Sequence, residues 1–429
     1  VKLAKKPLVQ NAFLRNNAVL FVGSILVGFG NYVYYPVLGR IMPPAPFGEV
    51  QALAALFTQL SLFLIVLGQV TVNIVANYDD EEKKQHILFE LEKFAFMLSI
   101  GLSIVLAAFS WQLRSFFHFE SALPFILLLF SLDISVPLAF RNAYLRAHKD
   151  FTGTSVSQLI GSFSKIALSA GLVIFGFKSA GAMGGIVISQ VLSFWYAAVL
   201  AKKLGFHKPK DVPYWSKPDM RALAPELKYA GLVLISSLAI TLLSSIDIFV
   251  VKHYFDPQTA GVYAGISTVA KIIFFLTGSI SQVLLPSVKL NQTTKENFGY
   301  LVKSAILLIA IGGSAVIIFT VMAKNVVHIL MGAKYITYAH LLPQLSLAMF
   351  LLSIVGLFIS YYLALRKYLL SVIVSFGIVV TGWLMLVHHA SLNEVVGDLV
   401  YGSVAMLGFI GAWRGVCAFR IRGRTNGEA

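Results

Sequence analysis

Long apolar runs, which charge scarcely interrupts, recur along this chain from end to end. A run of about 20 such residues, wound at 1.5 Å per residue, crosses a hydrocarbon core about 30 Å thick. Runs broken by charge or by proline and glycine fall near 12–38, 48–77, 87–110, 122–145, 152–176 and 180–201, then 226–252, 258–288, 298–323, 338–364, 368–387 and 395–419. Only 12% of the residues are charged, against about 25% in soluble domains, so a soluble globular protein is excluded. A transmembrane β-barrel is excluded as well, because its strands would read as short alternating segments. The expectation is an all-α polytopic membrane protein of twelve transmembrane helices.

The runs fall into six plus six. Between them, residues 202–225 form the longest polar connection, carrying Lys202, Lys203, Lys208, Lys210, Lys217 and Arg221. This predicts an N-terminal lobe at 1–201, a cytoplasmic linker at 202–225, a C-terminal lobe at 226–422 and a cytoplasmic tail at 423–429. Of the 34 lysines and arginines, 26 fall on the side of the termini, 6 on the other side, and 2, Lys165 and Lys271, inside spans. By the positive-inside rule both termini are cytoplasmic. The same bias accounts for the net charge of +15 without a nucleic-acid-binding face, which would need a soluble basic domain. The basic segment Val1–Pro7 leads into an apolar run too long for a signal peptide and reads as the approach to a first span. The single cysteine, Cys417, has no partner for a disulfide or a metal site.

Two lobes with six spans each enter the membrane in the same sense, as parallel repeats do. An ungapped shift of 213 residues aligns Val37, Pro44, Gly48, Gln69 and Val70 with Val250, Pro257, Gly261, Gln282 and Val283. The proline and glycine of each set fall in the turn between the first two spans of a half, which points to a duplicated hairpin. Val37–Gly48 (VLGRIMPPAPFG) and Asp247–Ala264 (DIFVVKHYFDPQTAGVYA) resemble the paired hairpins of polysaccharide flippases in the multidrug/oligosaccharidyl-lipid/polysaccharide (MOP) superfamily. Arg141–Val173 is similar to that family's junction of fourth and fifth spans, and Val326–Ala348, with its Gly-x-Lys-Tyr step at Gly332–Tyr335, to the loop before its tenth span. The resemblance implies a Wzx-type transporter that moves undecaprenyl-diphosphate-linked oligosaccharide across the cytoplasmic (inner) membrane. It also implies two six-helix lobes forming a V around a central cavity.

An ionised group at mid-membrane costs about 2.5–3.5 kcal/mol on insertion scales, so it faces a partner or a water-filled cavity. Asp133, Lys165, Asp247 and Lys271 qualify. Span five places Ser155, Gln158, Ser162, Lys165 and Ser169 on one helical face, which must be wet or protein-facing. Span eight repeats the pattern with Ser267, Lys271, Gly278 and Gln282, and span two ends in Gln69, Asn73 and Asn77. Arg15, Arg141 and Arg146 lie near cytoplasmic ends, where a lipid diphosphate would enter, although snorkelling places arginines there too. The candidate cavity residues are therefore Arg15, Arg141, Arg146, Gln158, Lys165, Lys271 and Gln282; serine stripes of this kind also serve simply to join helices. Asp133 and Lys165 each lie about 13 residues, or about 20 Å, from the cytoplasmic ends of adjacent spans, which predicts an ion pair. Asp247 and Lys271 lie at nearly matching depths, and both acids are alternatively sites for a coupling ion.

No Gly-rich phosphate loop, nucleophile elbow or HExxH motif occurs, so no catalytic constellation is expected. The adjacent His388 and His389 project from different helical faces, against zinc, and Asp79–Lys84 reads as a solvated turn. No cofactor or metal is expected, with Na⁺ or H⁺ coupling left open. Expected partners are a polyprenyl-diphosphate-linked glycan, membrane lipid and glycan-assembly proteins around a monomer. The alternatives are a lipid II flippase, which in that branch has fourteen spans, and a multidrug/cation antiporter, against which stands a first span without Asp or Glu. A membrane glycosyltransferase or polymerase is disfavoured by external loops too short to carry a site.

Overall fold

A computed structural model describes residues 6–78, 80–207, 244–288, 292–365 and 369–425, with Ser216, residues 218–220, Leu223, Leu234 and residues 241–242. Described side chains in the first helix begin at Val22. Among the described residues every regular element is helical, as it must be where hydrocarbon offers backbone N–H and C=O groups no partner outside their own segment. Among the described residues, eight helical stretches are long and apolar enough to cross a bilayer, one of which, Phe151–Lys203, covers two expected spans. Large apolar side chains such as Phe29, Trp111, Phe175 and Trp195 stand exposed around them. This is a multi-pass membrane protein.

The chain divides into two compact units, Val1–Ile235 and Ser236–Ala429. The first contains α1 (Lys6–Ile41), α2 (Pro44–Leu60), α3 (Leu62–Asn77), α4 (Glu81–Ala108), α5 (Ser110–Phe116), α6 (Leu123–Ala147), α7 (Phe151–Leu172) and α8 (Lys178–Lys203). The span expected at 48–77 is thus two helical segments meeting at Ser61. There, the Thr58 hydroxyl donates to Ala54 O and the Ser61 hydroxyl to Thr58 O, and such back-bonding competes with the regular ladder. Asp80 caps α4 by accepting the Lys83 N–H at 3.2 Å, and Lys84 pairs with Glu81 at 2.6 Å. Between α7 and α8 the chain turns within Val173–Phe177, where Gly176 takes a φ of 95° that a side chain would strain.

Packing in this unit does not follow chain order. Helix α7 runs against α1 and α8, while α8 also packs along α6, and α6 contacts α3 and α4. Leu67, Val70 and Ile74 of α3 meet Leu88 and Leu91 of α4, Leu132, Val136 and Phe140 of α6, and Ala197 and Ala201 of α8 in one apolar core. Phe206, Leu223 and Leu234 join the same core. The Ser216 hydroxyl accepts from Lys93 at 2.9 Å, and the Asp219 N–H donates to Glu90 at 2.7 Å. The segment expected to be a linker between lobes is, where described, bonded to the first unit, and the division falls beyond it.

The second unit contains α9 (Ile246–Tyr254), α10 (Pro257–Ser287), α11 (Thr294–Val321), α12 (Ala323–Met331), a 3₁₀ segment (Ala333–Leu341), α13 (Leu342–Ala364), α14 (Leu369–Val387) and α15 (Leu392–Thr425). Helix α10 packs on α11 and α13, and α15 on α13 and α14. The Gly-x-Lys-Tyr step buries Tyr335 completely against Gly265 of α10, where a Cβ would enter its ring. Both prolines of the repeated hairpin open a helix, Pro44 in α2 and Pro257 in α10, where the missing N–H costs nothing. Of the span expected at 226–252, the described helix is Ile246–Tyr254.

Two glycines of the first unit differ in what surrounds them. A Cβ on Gly185 would run into the Ser169 backbone of α7, whereas one on Gly30 would meet the Ser162 hydroxyl, which can rotate. Gly185→Ala should therefore lower stability by about 1–3 kcal/mol, the usual cost of overpacking, and Gly30→Ala by clearly less, as read from thermal unfolding of the detergent-solubilised protein. In the second unit, Asp256 caps α10 by accepting the N–H groups of Gln258 and Thr259, each at 3.0 Å. Bonds from Thr259 above all hold its carboxyl below the usual range. A group depressed in this way stabilises the fold above its unfolded value of about 3.9 and loses that contribution as pH falls through the folded value. Asp256→Ala should lower stability by about 1 kcal/mol at neutral pH and make no difference in strong acid.

Candidate functional site

The polar stripe of span five turns out to face protein along most of its length. Ser155 packs on Gly23 of α1, and Ser162 packs on Gly30 and donates to Val27 O at 3.3 Å. Ser169 donates to Ala182 O of α8 at 2.8 Å. These serines let helices approach closely, the ordinary work of small polar residues in a membrane. Lys165 is different. Its ammonium donates to Asn31 Oδ1 at 2.7 Å and lies 4.6 Å from the Tyr34 ring centre. Both partners are neutral, so the positive charge is solvated by dipoles and a π face without being cancelled. Gln158, on the same face, is half-buried.

Asp133 does not pair with Lys165. Its Oδ1 accepts the hydroxyls of Ser99 at 2.5 Å and Ser103 at 3.1 Å, both from α4. Equal depth on consecutive spans predicted the pair, but α6 turns Asp133 toward α4 while α7 turns Lys165 toward α1. Depth fixes one coordinate of a side chain and leaves its direction around the helix free.

In the second unit the carboxylate and the cation do meet. Lys271 Nζ stands 3.7 Å from Asp247 Oδ1, and Asp247 Oδ2 accepts the hydroxyls of Ser267 at 2.7 Å and Tyr263 at 3.0 Å. Asp247 has no exposed surface, and its Oδ1 makes no hydrogen bond among the described residues. Helix α10 supplies Tyr263, Ser267 and Lys271 at spacings of four, one face wrapped around a single carboxylate. Tyr263 was not anticipated, although that spacing reveals it.

At the basic-loop end of the first unit, Arg141 donates to Glu92 at 2.7 Å and lies over the Phe206 ring at 3.9 Å. Its charge is spent within the protein. Arg146 is exposed and reaches toward Gly68 of α3. Glu90 and Lys93 pair at 2.7 Å while 3% and 1% exposed. None of Glu90, Glu92 and Lys93 was singled out as a site residue, although the i, i+3 spacing of Glu90 and Lys93 at the start of an expected span was a usable signal. At the opposite end, buried Glu49 accepts the Ser179 hydroxyl at 2.5 Å and the Glu120 N–H at 2.8 Å. The side chains of Arg15, Asn73, Asn77 and Gln282 lie outside the described residues. No three His, Cys, Asp or Glu side chains among the described residues are arranged to hold a metal.

The hairpin at Pro44, its repeat at Pro257 and the Gly332–Tyr335 step all fall within residues 37–340, which match the model of a family described as polysaccharide biosynthesis protein. That is well over half of the chain. The chain belongs to the polysaccharide biosynthesis protein family. This polysaccharide biosynthesis protein has the fold of known transporters at low sequence identity. An inward-facing multidrug resistance MATE family transporter of the MOP superfamily superposes with a TM-score of 0.68 at 15% identity, covering 92% of this chain and 95% of the other. The lipid II flippase MurJ in an inward closed conformation gives 0.70 at 14% identity, covering 93% and 87%. A MOP superfamily transporter from Pyrococcus furiosus gives 0.51 at 15% identity, covering 94% and 95%. No curated protein matches the sequence. These likenesses establish the fold, all-helical and transporter-like.

The two acid and base sets of this family member should respond differently to mutation. Asp133→Asn and Lys165→Gln should act additively to within about 0.5 kcal/mol in a double-mutant cycle on unfolding, and exchanging the two charges should rescue nothing. Lys271→Gln should cost about 2–3 kcal/mol, below the range for a fully dry pair because Lys271 keeps some exposure. Combining it with Asp247→Asn should cost less than the sum of the two single changes.

Proposed function

We propose that this protein is a flippase for undecaprenyl-diphosphate-linked oligosaccharide, working by alternating access in the cytoplasmic membrane with both termini cytoplasmic. The observation that carries the reading is Lys165, an intramembrane ammonium whose partners are both neutral. A cation held by dipoles remains available to an anion, and a diphosphate supplies one with oxygen acceptors for charge-assisted hydrogen bonds. Arg146, exposed at the basic-loop end, is suited to guide the same group inward. Lys271 is reassigned: with Asp247 beside it, its first role is to hold the second unit together. Family membership supports glycan as the cargo class, and the charge bias of the loops supports the orientation. The protein acts as a monomer that receives its substrate from the glycan-assembly proteins.

Asp133 supports Na⁺ or H⁺ coupling, because it is bonded by hydroxyls and has no cation beside it among the described residues. The two roles separate in one reconstituted system. Lys165→Gln should weaken binding of a polyprenyl-diphosphate sugar about tenfold or more, the worth of one charge-assisted hydrogen bond, and Lys165→Arg should retain part of it. Asp133→Asn should leave that binding intact and abolish the dependence of flipping on an imposed ion gradient. Unchanged binding in Lys165→Gln would reject the assigned role.

A further inference from the structure

A pocket of about 760 Å³ opens in the first unit between α4, α6, α8 and residues 205–207. Its walls and its mouth differ in chemistry. Phe89 and Phe96 of α4, Pro137 of α6 and Phe194 of α8 make an apolar interior. On α8, Val191 and Trp195 stand exposed on either side of Phe194, and Leu98 is exposed on α4, so this interior continues into a surface suited to hydrocarbon. Lys202 and His207 line the other end. Phe194 and Lys202 are eight residues apart on α8, about 12 Å along its axis, so the pocket runs from apolar to cationic over the upper part of one lipid molecule.

The charges discriminate among anions. Glu92 cancels Arg141 at 2.7 Å, which removes the guanidinium from the count and leaves it as a lid over Phe206. The exposed Lys202 makes no ion pair among the described residues. His207 donates through Nδ1 to Gly205 O at 2.7 Å, which holds its ring at the cationic end of the pocket. The net charge carried by Lys202 and the Arg141–Glu92 pair is therefore about one positive, matched by the single negative charge of a phosphodiester better than by a diphosphate. The volume falls within the 300–1,000 Å³ of ordinary ligand pockets, which accommodates a headgroup and the first part of its chains.

We propose that this pocket is a binding site for one anionic phospholipid of the leaflet on the basic-loop side, with its phosphodiester at Lys202, beside the His207 ring, and its chains along Phe194 and Phe96. Only the naming of that leaflet as cytoplasmic rests on the function proposed above. The bound lipid braces residues 205–207 where the chain leaves α8.

The full-length protein, delipidated in detergent, is offered equal phosphatidylglycerol and phosphatidylcholine, and retained lipid is counted by native mass spectrometry. The wild type should prefer phosphatidylglycerol about tenfold, as one charge-assisted contact allows, and Lys202→Gln/His207→Gln should reduce the preference to less than about twofold. Ala198→Trp fills the pocket while leaving the cations in place, and should also lose phosphatidylglycerol. Retention by either variant at the wild-type level would overturn the assignment. So would loss in Ala198→Trp of an added polyprenyl diphosphate with phosphatidylglycerol unaffected, which would make the pocket a substrate site. Failure of the flippase reading leaves phosphatidylglycerol retention unchanged, so the two proposals fail separately.

Discussion

Hydrocarbon solvates neither peptide groups nor ions, and the arrangement of the intramembrane charges described in this protein follows from that. The backbone closes its hydrogen bonds within helices, and each described intramembrane charge has found a local substitute for water. The substitutes differ in kind. Asp247 is met by two hydroxyls and an ammonium, Asp133 by two hydroxyls, Lys165 by an amide oxygen and an aromatic face. A group whose charge is cancelled contributes to cohesion. A group whose charge is merely solvated retains the ability to attract an ion or a headgroup, and this difference separates the structural from the functional candidates.

Span positions were legible because hydropathy reports them directly. The helices Glu81–Ala108, Leu123–Ala147 and Pro257–Ser287 lie within a few residues of the apolar runs that announced them. The repeated hairpin was legible from Pro44 and Pro257, since proline at the first turn of a helix has a local cause. Side-chain partnership was not. It depends on which helices are neighbours, and in the first unit α8 packs along both α6 and α7, so chain order misled for Asp133 and Lys165. The Asp247–Lys271 contact was within reach of the sequence because the two elements are joined by a short hairpin that leaves little choice of neighbour.

Several charges near the start of α4 are neither snorkelling nor solvated. Glu90, Glu92 and Lys93 project from the third and fourth turns of α4 into the protein, where Arg141, Ser216 and the Asp219 N–H complete their bonding. Composition cannot distinguish this from a wet loop, because the deciding partners come from 49 to 129 positions away in the chain and only tertiary structure brings them together. Burying an ion pair of this kind is justified by specificity more than by stability: it fixes where the connection lies.

That anchorage bears on how the molecule is made. Residues 216–234 follow directly on the first six spans in the order of synthesis, and those described close over the α3–α4–α6–α8 core with Leu223 and Leu234 while capping Glu90 and Lys93. Domains form as they emerge from the ribosome, N-terminal first. The described residues of this segment thus complete contacts of the first unit before the second unit is synthesised. A membrane protein built of two helical units faces the hazard that helices of one unit exchange partners with those of the other during insertion. Here the bonds to Glu90 and Lys93 and the contacts of Leu223 and Leu234 commit the described part of that segment to the earlier unit.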